Sequence, residues 1–398
     1  MSESLRIALL LDPFSVSLDG PLNLRVKWGD HAPQLAQELL SMGHIVRGFG
    51  APPGLIPHSD ALDFESGNSS VWWNKLQKFN PDALIAYDAL SPAAWRGARS
   101  ARKLGATLLL VESALPQGGR WHERLFSRIG EFLWGRYVRR TASAVVALDE
   151  LSRRHAIEEG FAAELIQVIH YGVDTRVFRP GLTSTLVSHH RVSGRILLYV
   201  GKIEMNRGIE ILITAFASTV GMRSDWKLVM AGDGAAMASL KALSIRLGVG
   251  DRVHWIGRPR EEELPGLMGA STLLAVPALE NQVVGRQVGR ALACGLPVIL
   301  SDVPRFAGLI ENSVSGCIVP PGDKDAWIEA IGRVASSPVA RQRWAKAGRS
   351  LAEERLAWPM VAAQFEAVLR KAMAEAQSRL KSKSKAAAPA RPQTGPST

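Results

Sequence analysis

The chain has 398 residues, 46% of them hydrophobic and 21% charged, a balance that suits two or three globular domains with a large buried core. Its longest apolar runs, such as Ile7 to Leu11 and Leu108 to Val111, fall far short of the roughly 20 residues that a membrane-spanning helix needs. The net charge of +11, carried in part by a basic tail, fits either a solvated tail that aids solubility or attraction to an anionic membrane surface, and two cysteines, Cys294 and Cys317, with no Cys/His spacing of the metal-site kind, exclude a disulfide framework and supply no metal motif.

The N-terminus, MSESLRIALLLD, has no basic n-region and meets Asp12 early, so a cytoplasmic chain is expected. From there short apolar strands alternate with helical patterns. Strands are predicted near 5–11, 45–49, 83–87, 107–111, 144–148 and 165–169, and helices near 32–42, 92–104, 121–140 and 149–160. That alternation is the pattern of a doubly wound parallel sheet. Residues 179–194, RPGLTSTLVSHHRVSG, interrupt it with Pro, Gly, Ser and Thr and read as a linker. The second half resumes with strands near 196–200, 227–231, 252–256, 272–276, 297–300 and 317–319. The expected fold class is therefore α/β, with two Rossmann-like domains facing each other across a cleft.

The stretch YVGKIEMNRGIEILITAF at 199–216 carries the most chemistry. A buried strand ends at Gly201, Lys202 follows at once, and Arg207-Gly208 opens a helix with Ile209, Leu212, Ile213 and Phe216 on one face. Helix N-terminal amides carry partial positive charge, and a Lys and an Arg beside them can neutralise a diphosphate without a metal. An ordinary strand, loop and helix with two solvated cations is the alternative. Downstream, AGDGAAMASL has Gly232 and Gly234 after a strand but Met237 where a dinucleotide fingerprint would place its third Gly, and no P-loop motif is present.

Excess positive charge gathers in two places. Residues 376–398 hold Arg379, Lys381, Lys383, Lys385 and Arg391 with no acid, and with almost nothing to bury this tail is expected to be disordered. Residues 121–140, WHERLFSRIGEFLWGRYVRR, place Leu125, Phe126, Ile129, Phe132, Leu133 and Tyr137 on one helical arc, with Arg136 and Arg140 intruding. Burial of that arc in its own domain, and docking on an anionic membrane or an acidic acceptor, both stay open.

Taken in order, LRIALLLDPF, LAQELLSMGHIV, ALDELSRRH, VIHYGVDTRVFRP, YVGKIEMNRGIE, LVMAGDG, RVHWIGRPREEEL and ALACGLPVILSDVP resemble the GT-B glycosyltransferases of the family 4 type along nearly the whole ordered chain. The resemblance implies an acceptor domain at 1–178, the linker at 179–194, a nucleotide-sugar donor domain at 195–357, a helix at 358–375 crossing back to the first domain, and the basic tail from 376. It implies transfer from a nucleotide-diphosphate sugar to a glycan, lipid-linked or other acceptor, with retention and without a metal or other cofactor. Nucleic acid is not an expected partner.

Residue by residue, Gly201, Lys202 and Arg207 would hold the diphosphate, with the family's Arg and Lys exchanged in type. Gly20 would let its loop approach the phosphates, and the backbone at Gly257 and Arg258 would meet the base. The family's paired Glu, eight positions apart, are disturbed in PALENQVVGRQVGRALACGLP: Arg290 stands where the ribose carboxylate belongs. Gln282 takes the first position without a gap, Glu280 lies two residues away, and Gly285 matches the helix-opening glycine. Arg286 and Arg290, four apart, share a helix face and are candidates for anion contacts or for pairing with nearby acids. Glu112 replaces a family His after the fourth strand and could stabilise charge at the anomeric carbon, cap a helix or join a salt bridge. His122 is a weaker candidate there. These losses also motivate a second reading, a GT-B donor-binding or scaffold protein without catalysis.

Overall fold

The computed structural model describes residues 3–11, 16–18, 24–26, 31–49, 69–89, 91–113, 131–221, 225–280 and 285–386. In chain order the first half comprises β1 (Arg6–Leu10), β2 (Val16–Leu18), β3 (Leu24–Val26), α1 (His31–Ser41), β4 (Ile45–Phe49), α2 (Ser69–Phe79), β5 (Ala83–Tyr87), α3 (Pro92–Leu104), β6 (Thr107–Glu112), α4 (Arg136–Thr141), β7 (Ala144–Ala147), α5 (Glu150–Glu158) and β8 (Ile166–Val168). Six of these strands form a parallel sheet in the order β4-β1-β5-β6-β7-β8, and β2 and β3 pair antiparallel as a separate two-stranded sheet. β5 and β6 are buried at every position, as a sheet covered on both faces requires.

The second half comprises α6 (Thr185–His189), β9 (Arg195–Val200), α7 (Ile209–Thr219), β10 (Trp226–Ala231), α8 (Met237–Arg246), β11 (Val253–Gly257), α9 (Leu264–Gly269), β12 (Leu273–Val276), α10 (Arg286–Ala293), β13 (Val298–Ser301), β14 (Cys317–Val319), α11 (Lys324–Ser336), α12 (Pro338–Leu351) and α13 (Trp358–Ala386). Its six strands form a second all-parallel sheet, β11-β10-β9-β12-β13-β14. Among the described residues no helix is long and apolar enough to cross a membrane. Both cysteines are buried and unpaired with each other, and burial pushes the Cys294 thiol up to about 12.

Several local signals work as the sequence suggests. Ser91 accepts from the Ala94 amide to cap α3, Pro92 occupies its first position, and Gly105 closes it in the left-handed region at φ 69°. The expected linker, by contrast, is part of the second domain's body. Ser184 caps α6, Phe178 and Val192 belong to that domain's core, and a Cβ on Gly266 or Gly269 would run into Thr183 or Leu182. Polar composition marked this segment as loose, but its few apolar residues are enough to seat it.

Helix α2 was not anticipated; its buried Leu76 and Phe79 sit in a polar setting that conceals the period. Within 121–140, residues 121–130 lie outside the described residues. The rest opens with a π-helical turn, Glu131–Gly135, before α4. Val138 of α4 is fully buried, while Leu133, inside the π turn, is 61% exposed. The expected arc does not continue to Leu133.

Among the described residues a helix and a buried ion pair help tie the halves together. Trp358, Val361, Phe365 and Leu369 of α13 pack into the first domain's core, against the β1 side that carries α1. Gly172 has no Cβ because one would lie 2.4 Å from the Trp358 ring. The helix then runs on to Ala386, which corrects the expectation of disorder from 376: Ala, Gln, Arg, Leu and Lys are helix formers and no Gly or Pro intervenes. The second tie is a buried ion pair, Arg305 Nη1 to Asp149 Oδ2 at 2.6 Å.

Candidate functional site

In the second sheet β9 lies in the middle, with β10 on one side and β12 on the other. Chain connections leave β9 in opposite directions there, and in open parallel sheets the crevice outside the strand C-termini at such a switch point is where ligands bind. The loops that meet in this crevice begin at Gly201, Gly232 and Pro277.

They interlock through glycine. A Cβ on Gly232 would lie 1.8 Å from the Gly201 carbonyl oxygen, one on Gly234 2.1 Å from the Ile203 oxygen, and one on Gly208 1.8 Å from the Pro277 oxygen. Hydrogen bonds then fix the spacing. The Ile203 amide donates to the Asp233 carbonyl at 2.7 Å, the Ala236 amide donates to the Ile203 carbonyl at 3.0 Å, and the Tyr199 hydroxyl donates to the Lys202 carbonyl at 2.8 Å. Burial raises the Tyr199 phenol well above its usual value, with Arg207 offsetting part of the rise, so this donor stays protonated. Lys202 thus has a pinned backbone and an exposed side chain.

Arg207 ends a short 3-10 turn, Met205–Arg207, and its side chain is mostly buried, with Nε and Nη2 each 3.0 Å from Glu204 Oε2. Gly208 follows in the left-handed region at φ 71°, and α7 starts without a side-chain cap. By contrast α3, α5, α11 and α12 are capped by Ser91, Asp149, Asp323 and Ser337. An uncapped first turn flanked by a Lys and an oriented Arg is a site for an anion with two or more charged oxygens.

Glu280 is exposed and follows Pro277, the residue against which Gly208 is pressed, so it stands at the edge of the same crevice. Gln282 lies outside the described residues, as do Gly20 and His122. Gly285 opens α10, again with no side-chain cap. Gly257 ends β11 at φ 70° with open space around it, and Arg258 is exposed.

Arg290 is committed elsewhere. Its Nη2 and Nη1 reach Glu261 Oε1 and Oε2 at 2.7 and 3.1 Å, a bidentate pair, and its guanidinium lies over the Phe178 ring. Its side chain is only 6% exposed, whereas that of Glu261 is 56% exposed. Arg286 stands 3.8 Å from the same carboxylate and over Tyr171. A carboxylate is therefore present beside position 290, contributed by the turn after β11. Sequence reasoning quoted Glu261 within a motif and assigned it no role, because the pairing joins residues that the sequence does not connect.

Glu112 ends β6 fully inside the first domain, where its carboxylate accepts from the Ala89 amide. His155 and Glu159 of the α5 end bring their ligand atoms within 4.8 Å of it and of each other, a group able to hold a cation. The sequence-selected residues thus divide: Gly201, Lys202, Arg207 and Glu280 converge on one crevice, Arg286 and Arg290 face Glu261, and Glu112 belongs to a separate cluster. A cavity of about 330 Å³ at the domain junction, lined by Glu150, His170, Gly308, Arg355 and Gln364, is distinct from the crevice.

Residues 187–351 match the family model described as glycosyl transferases group 1. A D-inositol 3-phosphate glycosyltransferase of Saccharomonospora viridis is 28% identical over 224 residues, covering 54% of this chain and 52% of the relative. An alpha-D-kanosaminyltransferase of Streptomyces kanamyceticus is 27% identical over 254 residues, covering 64% and 57%. The chain thus spans about half the length of the curated relatives it matches. Among solved structures, a glycosyltransferase from Rickettsia africae superposes with a TM-score of 0.73 at 15% identity, covering 94% of this chain and 99% of the other. Anabaena HepE in complex with UDP and glucose superposes with a TM-score of 0.67 at 20% identity, covering 92% and 99%. The fold is that of the GT-B glycosyltransferases.

Proposed function

We propose that this protein transfers a sugar from a nucleotide-diphosphate donor to a glycan or lipid-linked acceptor, a reading supported by the match of residues 187–351 to the glycosyl transferases group 1 and by the GT-B frame. One observation carries the reading: the uncapped N-terminus of α7 at the sheet's switch point, flanked by Lys202 and Arg207. As the bond to the anomeric carbon breaks, negative charge develops on the departing diphosphate. Preorganised cations and amides stabilise that charge most when it is fully developed, which lowers the barrier. Glu280, exposed at the edge of the crevice, is the carboxylate we assign to the sugar. The binding of UDP and glucose by the structurally similar HepE supports a nucleotide-sugar donor here.

Lys202, Arg207 and the helix terminus supply the positive charge that lets transfer proceed without a metal, and retention is what the family resemblance implies. Closure of the two domains keeps water from the donor. The enzyme works in the cytoplasm, in peripheral contact with an anionic membrane, on a polysaccharide or glycolipid pathway. The test is transfer from nucleotide sugars in excess EDTA, where activity is expected to persist. Loss of activity on chelation, restored by magnesium or manganese, would contradict the metal-free mechanism and turn attention to Glu112, His155 and Glu159. Arg290 in place of the ribose carboxylate favours the second reading, a donor-binding scaffold; nucleoside-diphosphate binding with no turnover across donors and acceptors would establish it.

A further inference from the structure

The helices α2, α3 and α4 cover one face of the first sheet, each contributing to a shared core through Leu76, Ala98 and Val138. Their outward side is unusual in charge. Residues 69–79, 92–104 and 133–141 hold nine Lys and Arg and no Asp or Glu. Arg99, Arg102, Lys103, Arg136 and Arg140 are exposed, and none of these five pairs with a carboxylate among the described residues.

Aromatic rings are set between these cations. The Arg99 guanidinium lies 5.0 Å from the Trp95 ring centre, Arg102 5.4 Å from Tyr137, and the Lys103 ammonium 4.9 Å from Trp73. Trp134 lies 6.1 Å from Trp95, beside exposed Leu133. Repulsion among so many like charges destabilises the face in isolation, and a complementary anionic surface relieves it.

We propose that this face, rather than the basic tail, is the surface by which the acceptor domain docks on an anionic lipid bilayer. The inference rests on the glycosyltransferase reading only in naming the domain's role. Charge complementarity selects the partner: a leaflet of anionic headgroups attracts clustered Lys and Arg, while half-buried Trp and Tyr rings suit the headgroup level, where one edge is apolar and the other wet. Nucleic acid fits less well. Single-stranded binding uses open ring faces as stacking platforms, and here three ring faces are already covered by cations. Docking here would hold the first domain against the bilayer that carries a lipid-linked acceptor, converting a search in three dimensions to one in two.

The test is co-sedimentation of the full chain with phosphatidylglycerol-containing vesicles and with pure phosphatidylcholine vesicles. Binding to the first only, weakening with salt, is expected. The triple variant Arg99→Glu/Arg102→Glu/Lys103→Glu is expected to lose about a hundredfold in partition, since each cation near the surface contributes and each reversal repels. A companion triple variant to Gln, with the wild-type melting curve and unchanged UDP affinity, separates lost docking from lost folding and should show an intermediate loss. Wild-type vesicle binding by the Glu variant would overturn the proposal and place the attraction in the tail. Tighter binding to a single-stranded oligonucleotide than to vesicles would overturn it in favour of nucleic acid. Failure of vesicle binding with UDP affinity intact would sink this inference, and with it the membrane contact proposed above, while leaving the donor site standing; absence of UDP binding by the wild type would instead sink the donor-site reading.

Discussion

Gly208→Ala is expected to abolish measurable nucleoside-diphosphate binding while the first domain stays folded. Gly208 adopts φ 71°, a conformation that costs an L-residue roughly 1–2 kcal/mol. The added Cβ would also fall 1.8 Å from the Pro277 carbonyl oxygen, a backbone atom at the end of β12 that has no rotamer by which to retreat. Either the loop after β9 lifts away or the loop after β12 shifts, and both carry cradle residues: Arg207 and the first turn of α7 in one case, Glu280 in the other. A ligand held by several charge-assisted hydrogen bonds loses most of them when donors move by about an ångström. Calorimetry with UDP and GDP is the check, supported by circular dichroism. Wild-type affinity in Gly208→Ala would show that the interlocked loops are not the binding site.

The second large effect is expected at the domain junction. Arg305→Ala should destabilise the chain by about 3–5 kcal/mol, the usual cost of stripping one partner from a buried ion pair. The Arg305 and Asp149 side chains are 4% and 10% exposed, so the orphaned carboxylate cannot be rescued fully by water. Asp149 also accepts from the Ser152 amide at 2.7 Å and from its hydroxyl at 2.6 Å, which keeps α5 capped and places the effect toward the lower end of that range. Combining Arg305→Met with Asp149→Ser, which retains a helix cap, should restore much of the loss, because no uncompensated charge is left buried. Urea unfolding of the single and double variants tests this. Equal stability of Arg305→Ala and wild type would mean that the pair does not hold the domains together.

The fold was legible where one signal sufficed. β9 is a continuous apolar run that stops at Gly201, and both sheets follow from the regular alternation of such runs with helical patterns. α2 was missed because its apolar residues, Val71, Trp72, Trp73, Leu76 and Phe79, are interspersed with Ser, Asn, Lys and Gln, which weakens the period. The segment 179–194 packs more tightly than its residues suggest for a related reason: composition reports loop chemistry and does not show that Val192 finds a core with Leu186 and Val187 packed against it. The π turn at Glu131–Gly135 interrupts the expected helix before α4, and nothing in the residue types announces it.

For the site, the cradle was legible because its parts are contiguous: strand, Gly201, Lys202, Arg207 and helix fall within a few residues of each other. Glu204, which orients Arg207, lies inside that motif and could have been found from its i,i+3 spacing. Arg290 with Glu261 and Arg305 with Asp149 are separated by 29 and 156 residues. Such pairings depend on which loops the sheet order brings together, and local pattern carries no information about them.

The most direct measurement is calorimetric titration of UDP and GDP into the wild-type protein, Lys202→Ala and Arg207→Ala. A charge-assisted contact contributes roughly 1.5–3 kcal/mol, so each variant should bind about ten- to a hundredfold more weakly. Arg207→Ala should lose the more, because it also leaves the Glu204 carboxylate facing the diphosphate without its guanidinium. Unchanged affinity in both variants, or no binding of either nucleotide by the wild type, would contradict a diphosphate site at the start of α7.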